Sequence, residues 1–169
     1  MLVEHSYVLG KPPRVPLGIV QDTREQAPLR FPVAYADVTV GTVKVGDYTL
    51  ASDVWPIERK SIDDLIGSIL SGTLETRLDR MRAAVGPGEP VVVVVDGDKD
   101  DFAASKVWMR TNRATCAWGF SELYRLQYQY QAIVDWNPSR RWAAMSVWRW
   151  LRTRYKQIVG KKPEEWCLI

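Results

Sequence analysis

The chain has 169 residues, of which 46% are hydrophobic, and its formal net charge is +3. This length and composition fit a single domain with its own core. Two cysteines and one histidine are too few for a disulfide framework or a zinc cluster. With no apolar run near the roughly 20 residues of a membrane span and no secretory signal, we expect a reduced, cytoplasmic protein with no membrane partner.

The chain begins with a stretch rich in proline that shows no regular period. We therefore expect a flexible arm over residues 1–16, a folded domain over 17–159 and a tail over 160–169. Four short strands are predicted next, arranged as a meander, over residues 18–22, 37–41, 48–51 and 54–59.

The spacing of apolar residues becomes helical from Ser61 to Val85, with a break at Gly72. The five valines from 91 to 95 predict a strand buried on both faces, and hence helices on both sides of the sheet. A helix over 113–131, a strand over 132–136 and a last helix from about 137 to 159 complete the pattern. This order predicts a three-layer α/β fold with a central mixed sheet flanked by helices.

One segment carries residues suited to chemistry on phosphates. Glu58 and Lys60 lie two apart on a predicted strand, so they project to the same side while Arg59 faces away. Asp47, at the start of the neighbouring strand, would bring a second carboxylate to Glu58. Two carboxylates favour Mg²⁺ or Mn²⁺, which would polarise a phosphate and activate water, while Lys60 could orient that water.

Each piece also has an ordinary structural interpretation. Gly-Asp is a common turn, and a Glu-Arg-Lys sequence on its own is usually a solvated surface. The combination at this spacing is more informative than any part of it.

The run Gly46-Asp47, Glu58-Arg59-Lys60 and Asp64 resembles the GDXnERKX3D signature of the nuclease domain of XPF/MUS81 (ERCC4-type) endonucleases. Residues 20–25 resemble the first strand of that family, and residues 64–74 resemble its following helix. The apolar run ending at Asp96-Gly97 corresponds to a strand that ends in Glu-Gly in the family. The resemblance covers about residues 17–136 and implies a restriction-endonuclease-like fold.

The resemblance also implies roles for individual residues. Asp22, Asp47 and Glu58 would bind the metal together with the backbone carbonyl of Arg59. Lys60 would position the attacking water. The residues implied to support this site are Arg24, Arg59 and Asp64.

The chain departs from the family pattern at several places. Thr73 and Arg77 stand where arginine and glutamine are usual, so we expect phosphate contacts there to be rearranged. Asp96 is shorter than the usual glutamate, and we interpret it as a turn residue at a strand end. We find neither the helix-hairpin-helix module nor a helicase part, and so the choice of DNA substrate cannot be inferred from them.

Basic residues are concentrated towards the end of the chain, where residues 139–162 contain eight of them and no acid. We expect the last helix to contact DNA phosphates, although a solvated helix surface explains the same charges. The predicted DNA contacts are Arg77, Arg80, Arg149, Arg152 and Lys156, with Arg82, Arg110, Arg113 and Arg141 as alternatives.

The apolar stripe of the last helix, from Ala144 to Ile158, is expected to be core or a dimer interface. The family resemblance implies a homodimer or a protein partner.

Together these features predict an Mg²⁺- or Mn²⁺-dependent endonuclease acting on branched or flap-containing DNA, associated with the nucleoid, or nuclear in a eukaryote. Another nuclease of the same core, a junction resolvase or a duplex nickase, is one alternative. A non-catalytic DNA-binding scaffold subunit is the alternative from another class.

Overall fold

A computed structural model of the chain describes residues 15–50, 55–111 and 114–159. Outside the described residues lie most of the predicted arm, residues 51–54, Arg113 and the predicted tail. The elements in chain order are β1 (Leu17–Asp22), β2 (Ala36–Gly41), β3 (Tyr48–Leu50), β4 (Ile57–Ser61), α1 (Ile62–Leu70), α2 (Thr73–Ala84), β5 (Val91–Asp96), α3 (Lys99–Ala104), α4 (Lys106–Met109), α5 (Cys116–Tyr130), β6 (Ala132–Asn137) and α6 (Arg140–Val159).

The six strands form one mixed sheet in the order β2-β1-β3-β4-β5-β6. The predicted meander is wrong, because β1 pairs with β2 in parallel and with β3 antiparallel. A parallel pair needs a long crossover, and residues 23–35 provide one. Within it, Leu29, Phe31 and Tyr35 pack into the core beneath α6, which holds the crossover against the sheet.

Helices cover both faces of the sheet, which confirms the predicted three-layer α/β fold. α6 packs on one face, against apolar side chains of β1, β3 and β5. The other face is covered by α1, α2 and α5, with Phe102 of α3 and Trp108 of α4. The valines of β5 alternate between the two cores and are almost completely buried, as their run predicted.

The apolar stripe of α6 belongs to the core as far as Leu151. Trp148 donates its indole N–H to the carbonyl of Tyr35 at 2.8 Å, which fastens the helix to the crossover. Tyr155 and Ile158, near the end of the stripe, are exposed. Among the described residues, no helix has both the length and the apolar character needed to cross a bilayer.

Local signals account for most of the helix boundaries. Ser61 caps α1 by accepting a hydrogen bond from the Asp64 backbone, and Gly72 separates α1 from α2 in a left-handed conformation, with φ of 74°. The prediction missed the short helices α3 and α4. Asp98 and Asp101 form a capping box at the start of α3, a signal that the sequence does contain.

Candidate functional site

The turn before β3 sets the position of Asp47. Gly46 has φ of +82°, and a Cβ there would lie 2.9 Å from the Cβ of Pro56. Asp47 then donates its backbone N–H to the carbonyl of Ile57 at 2.8 Å, which brings the turn against β4. Glycine therefore permits both the backbone conformation and the close approach.

The Asp47 carboxylate faces β4 and is largely enclosed. Its Oδ2 accepts the backbone N–H of Arg59 at 2.7 Å. Burial, followed by the nearby negative charge of Glu58, raises the pKa of Asp47 to about 7. The two carboxylates therefore affect each other directly, as the sequence predicted.

Glu58 lies at the centre of the site and is 1% exposed. Arg77 of α2 donates to Glu58 Oε2 at 3.0 Å, and the same Nη1 atom lies 3.9 Å from Asp47 Oδ1. Lys60 Nζ lies 3.0 Å from Glu58 Oε1. The ammonium lacks the alignment for a hydrogen bond, so this buried oxygen accepts none. Asp47, Glu58 and Lys60 thus come together as predicted.

Asp22, at the end of β1, is held in a separate set of hydrogen bonds. Both carboxylate oxygens accept from the Arg24 guanidinium, at 2.7 and 2.8 Å. The backbone N–H groups of Arg24 and Val43 also donate to the carboxylate. The Arg24 side chain, followed by these backbone groups, holds the pKa of Asp22 well below its usual range, despite burial. Asp22 adjoins Asp47 through the backbone, since its N–H donates to the Asp47 carbonyl at 2.8 Å.

The Arg59 side chain lies on the opposite face of the sheet, as strand alternation predicts. It is buried and donates to Asp96 Oδ2 at 2.6 Å, with Glu25 3.7 Å away. Arg140 of α6 approaches the same Asp96 oxygen at 3.7 Å. Arg59 can therefore support the site by holding β4 in place from the opposite face of the sheet.

Asp96 does more than end a strand, which was the role expected from its sequence position. Its ion pair with Arg59 joins β4 to β5, and its contact with Arg140 reaches the start of α6. The ion pair could have been predicted from the positions of these residues at the ends of their strands. The carboxyl ends of neighbouring parallel strands meet at one edge of a sheet, so β4 and β5 bring Lys60-Ser61 and Asp96 together.

Two other predicted residues lie at the ends of helices or on their surfaces. Asp64 accepts the hydroxyl of Ser61 at 2.6 Å, within the cap of α1. Arg80 is exposed on α2, one turn beyond Arg77. Arg77 was expected only as a phosphate contact, and its place beside Glu58 was missed because it depends on how α2 packs over the sheet.

The basic residues of α6 are distributed between the two ends of the sheet. Arg140, at the start of the helix, contacts Asp96 and the carbonyls of Ala27 and Pro28 at the end near the site. Arg154 instead pairs with Glu89, which precedes β5 at the opposite end. Lys156 lies about 24 Å from Arg140 along the helix axis, because each residue of an α-helix adds 1.5 Å. Of the predicted contacts, Arg149 therefore lies near the middle of the helix, and Arg152 and Lys156 lie towards the far end.

The donor set is compatible with a hard divalent cation. No group of three or more His, Cys, Asp or Glu side chains in the described ranges is arranged as a metal site. Magnesium commonly takes only one or two carboxylates, and water and substrate phosphate complete its coordination. Asp47 and Glu58 supply two such carboxylates, and Glu58 Oε1 accepts no hydrogen bond, although Lys60 Nζ lies 3.0 Å from it.

Comparison with solved structures shows the same fold in XPF from Aeropyrum pernix. One structure matches with a TM-score of 0.63 and 21% identity, over 85% of this chain and 67% of the other. A second, of XPF from Aeropyrum pernix in complex with DNA, matches with a TM-score of 0.65 and 22% identity, over 83% and 66%.

The putative ATP-dependent RNA helicase MJ1505 of Methanocaldococcus jannaschii is 32% identical over 88 residues, which are 52% of this chain and 11% of that protein. The chain therefore spans about a ninth of this relative. The profile of the ERCC4 domain matches residues 21–158, which include Asp22, Asp47, Glu58 and Lys60. By this match over most of its length, with the shared fold, the chain belongs to the ERCC4 domain family.

Proposed function

We propose that this protein is a metal-dependent endonuclease that hydrolyses DNA phosphodiesters, with a preference for flaps, forks or other branched structures. The observation that carries the proposal is the buried Glu58 carboxylate, which lies beside Lys60 and shares a guanidinium with Asp47. A carboxylate that is 1% exposed and paired with two basic side chains is costly to desolvate in a merely structural role.

The proposed reaction is the attack of water on phosphorus in line with the leaving oxygen. A bond forms between the water oxygen and phosphorus, and the bond from phosphorus to the 3′ oxygen breaks. The leaving oxygen takes up a proton. The products are a 5′-phosphate and a 3′-hydroxyl, as the family resemblance implies.

In this account Asp47 and Glu58 would hold Mg²⁺ or Mn²⁺. The metal, when bound, supplies charge to polarise the phosphate and lowers the pKa of water. Lys60, next to Glu58, would orient the attacking water and offset negative charge as it develops on the phosphate. Asp22, with Arg24, would complete the site at its β1 side.

Basic side chains surround these acids and could hold the DNA backbone. Arg24 is 69% exposed and Arg77 45% exposed, both on the side of the site. Arg140, 52% exposed, lies at the same end of the sheet. Such residues would grip phosphates without reading sequence, and the matched relative whose structure contains DNA supports this role.

Two rival functions remain to be tested against this proposal. A nuclease of the same core that resolves junctions or nicks plain duplex would use the same acids. A non-catalytic DNA-binding scaffold would not need them, and the presence of Asp47, Glu58 and Lys60 in one cluster favours catalysis.

The test is a panel of end-labelled flap, fork, four-way junction and linear duplex substrates, each with Mg²⁺, Mn²⁺ or a chelator. We expect metal-dependent cleavage of flaps or forks that exceeds cleavage of linear duplex by at least about ten-fold. Faster cleavage of the four-way junction or equal nicking of plain duplex would favour a same-core rival. Binding to all substrates without metal-dependent cleavage of any would favour the scaffold.

A further inference from the structure

Arg77 lies where a divalent cation would approach the two central carboxylates. Its Nη1 atom is 3.0 Å from Glu58 Oε2 and 3.9 Å from Asp47 Oδ1. One guanidinium nitrogen therefore faces both of the proposed metal ligands. This cationic contact resembles the one that a metal ion would make.

When Asp47 and Glu58 are both ionised, the charges around Glu58 are balanced without a metal. Asp47 and Glu58 contribute two negative charges when ionised, and Lys60 and Arg77 contribute two positive ones. A divalent cation entering this set would be repelled by the Arg77 guanidinium at short range. Loss of the Arg77 contact would leave an excess of negative charge to bind the metal.

The backbone of Arg77 is fixed by its helix, whereas its side chain can move away from the two carboxylates. Leu74, Leu78 and Met81, on the face of α2 that borders Arg77, are buried in the core, so the backbone of Arg77 is fixed. Its side chain is 45% exposed, which gives the guanidinium a route into solvent. Only rotation of a long side chain is then needed to open the site.

We propose that Arg77 acts as an internal cation that competes with the metal for Glu58 and Asp47. In the absence of DNA it occupies the carboxylates and weakens metal binding, and an arriving phosphate gives the guanidinium another anion to pair with. This inference rests on the proposed metal-dependent function and identifies a residue that controls access to that site.

The test is calorimetric titration of the chelator-treated protein with Mn²⁺ in the absence of DNA. Arg77→Gln removes the charge while keeping a good helix former, and we expect it to tighten the Kd for Mn²⁺ by about ten-fold or more. The matched control, Arg80→Gln, makes the same change one turn away on an exposed surface, and we expect a change below about two-fold. Arg77→Met is a second neutral variant, used if the first does not keep the wild-type melting transition.

A Glu58→Gln variant in the same titration separates failure of this inference from failure of the proposed function. If neutral variants at position 77 bind Mn²⁺ no more tightly than wild type, while Glu58→Gln loses binding, competition by Arg77 is wrong and the metal site stands. If the wild-type protein and the variants at position 77 show no binding that depends on Glu58, both ideas are wrong. Tightening in Arg77→Gln matched by Arg80→Gln would also overturn the inference, since it would be a general charge effect.

Discussion

At the scale of single residues, strand geometry explains the pairing of Lys60 with Glu58. The two residues alternate with Arg59 along β4, so the ammonium approaches Glu58 Oε1 to 3.0 Å while the Arg59 guanidinium reaches Asp96 on the other face. Each side chain of this short run thus has a separate task. Lys60 faces the candidate site, and Arg59 holds the strand in place through Asp96 on the opposite face of the sheet.

Replacement of Lys60 by methionine tests its role in catalysis. We expect Lys60→Met to reduce the single-turnover cleavage rate by about 100-fold or more, because a positive charge near the transition state is lost. Affinity for Mn²⁺ should be equal or tighter, since one neighbouring cation has been removed. Lys106→Met, on an exposed surface, is the control. Cleavage by Lys60→Met at the wild-type rate would show that the ammonium does not act on the reaction.

Asp22 gives a prediction for the dependence of stability on pH. Its folded pKa is depressed, chiefly by the Arg24 side chain, so the folded state binds fewer protons than the unfolded chain near pH 4. The stabilisation is complete above the unfolded pKa and is lost as the pH falls through the folded pKa. In chelator, we expect Asp22→Asn to lower the free energy of unfolding by about 2 kcal/mol at pH 7.

This deficit should shrink as the pH falls below about 4, because the wild-type carboxyl is then increasingly protonated in the unfolded chain. Urea unfolding of both proteins from pH 7 to pH 3 measures it. Asp37→Asn, at an exposed position of β2, should show no comparable deficit. A deficit for Asp22→Asn that is constant over this pH range would contradict the assigned ion pair.

At the scale of elements, the turn at Gly46 links the fold to the site. An alanine there would need a left-handed backbone and would place its Cβ 2.9 Å from the Cβ of Pro56 and 3.0 Å from the carbonyl oxygen of Ile57. Relief of that clash would displace Asp47 from β4. The position thus requires glycine for two separate physical reasons.

We expect Gly46→Ala to destabilise the protein by about 2 kcal/mol or more and to lower cleavage, measured by thermal unfolding and single-turnover assays. Gly88→Ala is the matched control, because Gly88 also has a positive φ, of +78°, but a Cβ there would meet no neighbouring atom within 4 Å. Gly88→Ala should therefore carry only the backbone cost. Equal losses for the two variants would mean that close packing at Gly46 is unimportant.

The sequence predicts those elements whose signal is local. The break at Gly72, the buried strand of valines and the long α6 all follow from spacing and glycine placement. The parallel pairing of β1 with β2 does not, because the partner of a strand is chosen by how the crossover packs, through Leu29, Phe31 and Tyr35. Short helices such as α3 and α4 have too few turns for a helical period to be visible.

The same distinction holds for the site. Glu58 and Lys60 share a side because alternation along a strand is local, and the turn at Gly46-Asp47 is a local signal too. The contact of Arg77 with Glu58 depends on the packing of α2 over the sheet. The Arg59, Asp96 and Arg140 cluster likewise joins β4, β5 and α6. Such contacts follow from tertiary structure and are not visible in a motif.

At the scale of the whole molecule, the surface of α5 gives an expectation about assembly. The predicted α6 stripe is mostly core, whereas Tyr124 and Tyr128 of α5 are 59% and 92% exposed. Aromatic side chains are enriched at protein interfaces. We expect a homodimer in size-exclusion chromatography with light scattering, and we expect Tyr128→Glu to shift it to monomer. Val33→Glu, at another exposed position, should stay dimeric; a wild-type monomer at all concentrations would contradict this expectation.

The central claim for the whole molecule is that the Glu58 carboxylate makes this chain a metal-dependent nuclease. The most direct measurement is single-turnover cleavage of a flap substrate in Mg²⁺ by Glu58→Gln, alongside Asp79→Asn as an exposed acid-to-amide control on α2. We predict that Glu58→Gln loses at least about 100-fold in rate while its affinity for DNA in chelator stays within a few-fold of wild type, and that Asp79→Asn cleaves normally. Cleavage by Glu58→Gln at the wild-type rate, with the same metal requirement, would contradict the account.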